Sequence, residues 1–538
     1  MSAFVPTTDS PDAVPVARPW VELGLFAVAT MAAAVLLVPG HFWGDDWTLY
    51  VRQAEGLLHG RVHRVVADVT FTAQHSTMRE FTPEGYPWGT PALLTIPIAL
   101  FGRSIAAMKL TMALSFGCAV AAWYSVGRRW VGPLAGFCGA TLMMVSLPLV
   151  SWTNLIASDI PYLAAVGLTA LVVAHTTSSA FTPLRGAVGV GAMAALTFAF
   201  RQEGLAVLMA AVFALAVRRW NMSEASNGTI RDRVRSWRGA AARQASAAIA
   251  AFVIITVLVR LVLPSQLLPR YSGAGPGRIR SNLSFFGRSI GAQFGVYDPV
   301  DARVEGFDSP TLGWMLIGLL VVAATAGAWR LGRRRSPLDV LMLALAGSHM
   351  YGALTFPFPD TRYMFVPFTV ACFVMAFGVD GVARSRAGQR LTNRLVPSRP
   401  AVVRSLVMAA VIGLLLVNQV SPFVTAARGA ATARRIDRPA FSPFEPEPQE
   451  MFEAVRDRTG SADVIAFGAA RAMTLFTDRR VVQVRGDDAI PPVAQWVVVE
   501  LLPNGASPTP AGFVETWRND RYALLRAVAV TPVTVATP

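Results

Sequence analysis

Lysine is nearly missing from this 538-residue chain. Lys109 is the single example among 48 basic residues, and the remainder are arginine, a bias expected of a GC-rich bacterial genome. Charge of either sign is scarce, at 15% of residues, where soluble domains carry roughly a quarter. That shortage excludes a large soluble protein. The apolar share is 53% and the mean hydropathy +0.46. Cysteine is scarce too: Cys118, Cys138 and Cys372 all stand inside apolar runs, so no disulfide framework or thiolate metal site is readable. No glycine fingerprint of a dinucleotide-binding fold is present either. The net charge of +15 is not a nucleic-acid footprint, because the surplus sits in short segments between apolar runs.

What the chain does have is a succession of runs long enough to cross a bilayer, roughly 17–25 residues each. Four arginine-rich segments, 127–130, 218–244, 329–335 and 383–404, mark one side, which the positive-inside rule makes cytoplasmic. Keeping all four inside predicts spans at 21–39, 104–126, 131–150, 160–178, 186–200, 203–218, 245–264, 309–329, 337–356, 361–382 and 405–424. The fold class expected is a polytopic α-helical membrane protein of about 11 spans, inside at its N-terminus and outside at its C-terminus. Residues 1–18, polar and Pro-rich, read as a disordered cytoplasmic N-terminus, and 19–424 as the transmembrane domain. The apolar stretch 90–102 is too short to span and reads as an interfacial or re-entrant helix on the outer face. Two long outer loops follow from this topology, 40–103 and 265–308. Loops longer than a connection needs are usually functional.

The stretch HFWGDDWTLYVRQAEGLLHG (41–60) sets adjacent acids, Asp45 and Asp46, where the first span ends. Tyr50, Val51, Ala54, Leu57 and Leu58 follow at helical spacing, a stripe that predicts a helix lying on the outer leaflet with the acids at its N-terminus. One Asp could serve simply as an N-cap; a cap does not require both. Other polar residues fall on the same side: Asp159 before the fourth span, Arg201 and Glu203 in the turn between the fifth and sixth, and Asp360, Arg362 and Tyr363 at the start of the tenth. Arg260 ends the seventh span, and Arg270, Arg278 and Arg280 belong to the second long loop. A lone arginine at a membrane edge usually snorkels. Arginines accompanied by acids, on the side the positive-inside rule disfavours, fit an anionic lipid phosphate better. His59 and His63 have the four-residue spacing of a metal pair on one helix face, but no third ligand of matching spacing is nearby.

In order and sidedness these residues resemble the GT-C glycosyltransferases, in particular the branch of the protein O-mannosyltransferases and the lipid A aminoarabinose transferase. The resemblance is carried by GDDWTLY (44–50), FTPEGYPWGTPALL (81–94), SDIPYL (158–163), RQEGL (201–205) and RYMFVP (362–367). It departs from the family at Asp45-Asp46, where an Asp-Glu pair or an isolated Asp is usual. It implies a bacterial inner-membrane enzyme that moves a sugar from a polyprenyl-phosphate donor to a hydroxyl of an acceptor glycan, lipid or protein, with inversion and without a cofactor or metal. It further implies Asp45, with Asp46 second, as the general base. Arg201, Arg362 and Tyr363 would bind the donor phosphate, and Asp159, Glu84, Tyr86 and Glu203 the sugar or acceptor. A lipid-linked sugar flippase is the alternative, although such proteins place ionisable groups near the midplane; a cell-envelope scaffold with a degenerate site is a third reading.

After a Pro-rich linker at 425–444, residues 445–538 read as a small extracytoplasmic α/β domain. A helix is expected at 450–460, and strands in ADVIAFG, RRVVQV, QWVVVELL and YALLRAVAV. No catalytic pair is recognisable in it, and Asp487-Asp488 reads as a turn.

Overall fold

The computed structural model describes residues 19–77, 86–178, 183–224, 230–264, 276–294, 296–298, 303–304, 310–334, 336–356, 359–385, 400–436, 442–485, 488–502, 506 and 508–528. Its helices run in chain order as α1 (Pro19–Val35), α2 (Asp45–Leu58), α3 (Val62–His75), α4 (Gly89–Phe101), α5 (Ile105–Trp130), α6 (Pro133–Val145), α7 (Leu147–Ser151), α8 (Asp159–Ser178) and α9 (Pro183–Phe200). They continue as α10 (Gly204–Glu224), α11 (Ile230–Val262), α12 (Pro276–Gln293), α13 (Pro310–Arg334), α14 (Pro337–Thr355), α15 (Phe365–Arg384) and α16 (Pro400–Ile436). The C-terminal domain adds α17 (Pro446–Arg458) and α18 (Ala470–Thr477).

Among the described residues, eight helices are long and apolar enough to cross a membrane, nine if α6 and the segment from Leu147 to Asn154, bent by 58°, form one broken span. The bend falls within the span expected at 131–150. Helices α1 and α16 occupy the two other positions where the sequence places a crossing. The stretch at 90–102 forms α4, whose 13 residues reach about 20 Å, short of a bilayer core of about 30 Å.

Charged side chains gather at the two ends of this bundle. At one end Arg334 and Trp130 converge on Asp339, Arg384 and Arg330 on Asp380, and Arg128 on Glu22. Arg129 meets His175 there, so α5 and α8 finish on the same side. The starts of α8 and α15, some 20 residues earlier in each helix, therefore lie about 30 Å away at the other end.

That other end carries α2, α3 and the C-terminal domain. Two short strands, β1 (Val296–Asp298) and β2 (Arg303–Val304), follow α12 in the second long loop. The C-terminal domain holds a five-stranded sheet of β3 (Val464–Phe467), β4 (Arg480–Gln483), β5 (Trp496–Glu500), β6 (Phe513–Arg518) and β7 (Tyr522–Ala527), in the order β4-β3-β5-β7-β6. Strands β4, β3 and β5 run parallel, and β7 and β6 add antiparallel at the β5 edge. Four of these strands are the expected ones. The expectation missed β6, whose charged and half-exposed residues lack a buried strand's pattern.

Two expectations are corrected here, and the histidine pair is placed. The apolar stripe of α2 faces protein rather than lipid: Trp47, Tyr50, Val51 and Ala54 are buried against α4 and against Leu475, Phe444 and Phe476 of the C-terminal domain. Periodicity marks a face to be covered but not what covers it. The linker expected at 425–444 is largely helix, since α16 continues to Ile436 through an internal Pro422. His59 and His63 do not share a helix face. His59 is the C-cap of α2, and His63 belongs to the next helix.

Candidate active site

The starts of α2, α8 and α15 and the turn between α9 and α10 bring the acids and arginines together. Gly44, not an aspartate, is the N-cap of α2, so the carboxylate of Asp46 is released from capping. Asp46 sits in the first turn, where the positive end of the helix favours negative charge. Tyr86 donates its hydroxyl to Asp46 Oδ1 at 2.5 Å, and Arg362 Nη1 stands 3.4 Å from Oδ2. The Tyr86 hydroxyl in turn accepts from Arg471 Nη1 at 2.9 Å, and the same nitrogen lies 3.5 Å from Asp46 Oδ1. Tyr50 packs tilted against Tyr86, ring centroids 4.9 Å apart, and donates to Ser158 Oγ at 3.1 Å, which links α2 to the start of α8.

Asp159, only 4% exposed, opens α8 with Pro161 in its first turn, where proline is tolerated because its missing N–H has no helical partner. Arg201 donates to Asp159 Oδ1 and holds Glu203 at 2.8 Å with its other terminal nitrogen. The α9–α10 turn that presents Arg201 and Glu203 requires glycine at its exit. A Cβ on Gly204 would stand 2.4 Å from the Phe198 nitrogen. Arg362 lies in a 3₁₀ turn, Thr361–Met364, capped by Asp360, whose Oδ1 accepts the Arg362 backbone N–H at 3.1 Å. Its guanidinium reaches 4.0 Å from Asp159 Oδ2 and so joins the two halves of the cluster. The Tyr363 ring lies beneath both guanidiniums, at 5.6 Å from Arg201 and 5.3 Å from Arg362. Beyond it Tyr162 bonds His349 Nε2 at 2.7 Å.

Burial raises the affinity of Asp46 for a proton, but Arg362, Arg471 and the Tyr86 hydroxyl outweigh it and hold the group below the usual carboxylate range. For Glu203 burial is again opposed, here by Arg201, which brings it down to about 2. Burial and the neighbouring Asp46 push the Tyr86 phenol well above its ordinary value, against the pull of Arg471. The site thus holds ionised carboxylates and guanidiniums with a protonated phenol between them. Asp159 Oδ2 is buried with no hydrogen-bond partner among the described residues, a place for a donor to arrive.

The structure therefore assembles Asp46, Tyr86, Asp159, Arg201, Glu203, Arg362 and Tyr363 in one place. Asp45 opens α2, but its side chain, like Glu84 and Arg270, lies outside the described residues. Arg278 and Arg280 lie on α12 and take part in none of these contacts. Sequence reasoning missed Arg471, because nothing in AARAMTLFT signals that a C-terminal helix reaches a loop some 400 residues earlier.

No family model matches the chain, and no curated protein matches it by sequence. Solved structures do match it. ArnT from Cupriavidus metallidurans bound to undecaprenyl phosphate aligns with 97% of this chain and 100% of its own, at 13% identity and TM-score 0.57. Its apo state aligns with 94% and 97%, at 15% identity and TM-score 0.52. The Archaeoglobus fulgidus oligosaccharyltransferase tethered with an acceptor peptide aligns with 90% of this chain and 69% of its own, at 12% identity and TM-score 0.53. What this multi-pass membrane chain shares with them, along nearly all of its length, is the fold of the GT-C glycosyltransferases.

Proposed function

We propose that the chain is a membrane glycosyltransferase that takes a sugar from a polyprenyl-phosphate donor and delivers it to an acceptor hydroxyl outside the cytoplasm. The observation that carries this is the single cluster in which an ionised carboxylate, Asp46, stands 3.4 Å from a guanidinium, Arg362, at the end of the bundle opposite its arginine-rich end. The positive-inside rule makes the arginine-rich end cytoplasmic and leaves the cluster outside.

In this reading the acceptor oxygen attacks the anomeric carbon while the bond from that carbon to the phosphate oxygen breaks. Asp46 takes the proton through Oδ2, which among the described residues Arg362 alone contacts, and polyprenyl phosphate leaves with the electron pair. One displacement inverts the anomeric centre. The negative charge on the departing phosphate falls to Arg362, whose Nη1 contacts to Asp46 and Asp159, 3.4 and 4.0 Å, are loose enough to yield to a phosphate oxygen while its Nε stays 3.2 Å from Asp360. Arg201, gripped by Asp159 and Glu203, holds Asp159 in place more than it binds phosphate. Oδ2 of Asp159, which has no hydrogen bond among the described residues, suits a sugar or acceptor hydroxyl. Tyr363 floors the site beneath both arginines.

The test uses purified protein in vesicles with a panel of radiolabelled undecaprenyl-phosphate sugars and acceptor-containing envelope extract. Wild type should transfer label, in EDTA as well as without it. Asp46→Asn should lower transfer by about 10²–10⁴-fold, the usual contribution of a general base, while still binding undecaprenyl phosphate. Lipid-linked sugar crossing the bilayer with no transfer to acceptor would instead establish a flippase and end this reading.

A further inference from the structure

The C-terminal domain supplies a buried arginine that the reaction outlined above leaves without a task. Arg471 is 7% exposed, and arginine is rarely buried unless it is paired. It occupies the second position of α18, where the positive helix end repels a cation, so neither solvation nor the helix accounts for it. Its guanidinium lies over the Tyr86 ring, 5.1 Å from the centroid, and its Nη1 meets both the Tyr86 hydroxyl and Asp46.

We propose that Arg471 is a positioning residue through which the docked C-terminal domain completes the active site. It fixes the Tyr86 hydroxyl as a donor to Asp46 and holds Asp46 Oδ1, leaving Oδ2 turned towards the reacting atoms. The inference deepens the glycosyltransferase reading and rests on it for its kinetic arm. Tyr86 spends its one proton on Asp46 because Arg471 can only donate to it and the carboxylate can only accept, so the hydrogen bond has a fixed direction. Other contacts dock the domain without Arg471. Arg103, paired with Glu55 of α2, bonds the Leu475 carbonyl at 3.2 Å, and Thr72 of α3 bonds the Val481 carbonyl at 2.7 Å. The Ser76 hydroxyl accepts from the Gln483 N–H at 2.7 Å, and Arg64 pairs with Asp478 at 2.9 Å. Docking and positioning are thus separable. Among the described residues, the groups that face Asp46 are Arg362 from the turn before α15, Arg471 from α18, Tyr86 from the segment before α4, and Tyr50 from its own helix.

The experiment compares Arg471→Gln, Arg471→Lys and Tyr86→Phe with an Arg64→Ala control in the full-length protein, by the pH dependence of kcat/KM for transfer. Wild type should lose activity only below the usual carboxylate range. Arg471→Gln and Tyr86→Phe should move that acid limb to higher pH and lower the rate at least tenfold. Arg471→Lys should keep the limb in place, and the control should match wild type. A merely structural arginine would lower the rate without moving the limb, and that result overturns the proposal. Infrared titration of the Asp46 carboxylate, isolated by subtracting the Asp46→Asn spectrum, gives the same comparison without substrate. An upward shift there in Arg471→Gln, with wild type inert in transfer, would uphold the positioning role and sink only the glycosyltransferase reading. No shift in either Arg471→Gln or Tyr86→Phe sinks the positioning role, and Tyr86→Phe decides should the arginine variants fail to fold.

Discussion

Exchanging each of the two central arginines for glutamine separates binding from architecture. Arg362 touches its carboxylate partners at 3.4 and 4.0 Å at the site and 3.2 Å at Asp360, so its loss should leave the fold nearly intact. A hydrogen bond to a charged group contributes about 1.5–3 kcal/mol, and about 1.4 kcal/mol is a factor of ten. Arg362→Gln should therefore weaken undecaprenyl phosphate binding by roughly 10- to 150-fold. Arg201 is different. It grips Asp159, 4% exposed, and Glu203, so its removal takes the near cation from a buried carboxylate and leaves it Arg362 at 4.0 Å. Breaking such a pair costs about 3–5 kcal/mol, and the 41% exposure of Glu203 sets the lower end as the expected loss. Arg201→Gln should lower the melting temperature by several degrees on the order of that cost, with binding reduced only in step with the fraction folded. Tryptophan-fluorescence titration with undecaprenyl phosphate and a thermal melt in the same detergent read both quantities. An Arg362→Gln protein that binds like wild type would refute the division of labour. So would an Arg201→Gln protein of unchanged melting temperature that no longer binds.

Acid should loosen the end of the bundle that carries the cluster: Glu203 falls from 4.5 to about 2 in the folded chain, so its contribution is complete above 4.5, fades between those values and is gone below about 2. Melting curves from pH 6 to 2 should show that loss in wild type and much less of it in Glu203→Gln. Gly204→Ala should splay α9 from α10, because its Cβ meets the Phe198 backbone rather than a side chain that could yield; transfer should fall with Arg201 displaced from Asp159, and a wild-type rate would refute the tight-turn argument. Trp47→Ala removes a side chain 2% exposed that packs on Phe444 and Phe476, a loss of about 3–5 kcal/mol. Limited proteolysis should then cut at residues 437–445 faster than in wild type, and an unchanged pattern would mean the stripe of α2 does not carry the docking.

Much of this protein was legible before any coordinates. Long apolar runs and the placement of arginine predicted the helical membrane fold, since the bilayer imposes length and charge rules that act residue by residue. GDDWTLY, SDIPYL, RQEGL and RYMFVP each stand out in the sequence because charge at a membrane edge needs a partner. Their convergence was an expectation, and the described side chains of all four stretches do meet. Other features resisted. The stripe of α2 promised a buried face and was assigned to lipid, because Trp47 and Tyr50 would serve as well at an interface as in a protein core. Arg471 and β6 carried no local signal at all.

The division has a physical reason. Hydropathy, helix signals and charge placement are local or averaged over one span, and the sequence by itself determined those: a multi-pass helical bundle, its two differently charged ends, and the residues clustered at one of them. Distances between chain-remote groups come from how the helices pack and how the C-terminal domain docks. Only the tertiary structure could decide that Arg471 reaches Asp46 through Tyr86, that Arg201 is held by two carboxylates while Arg362 stays loosely paired, and that protein rather than lipid covers α2.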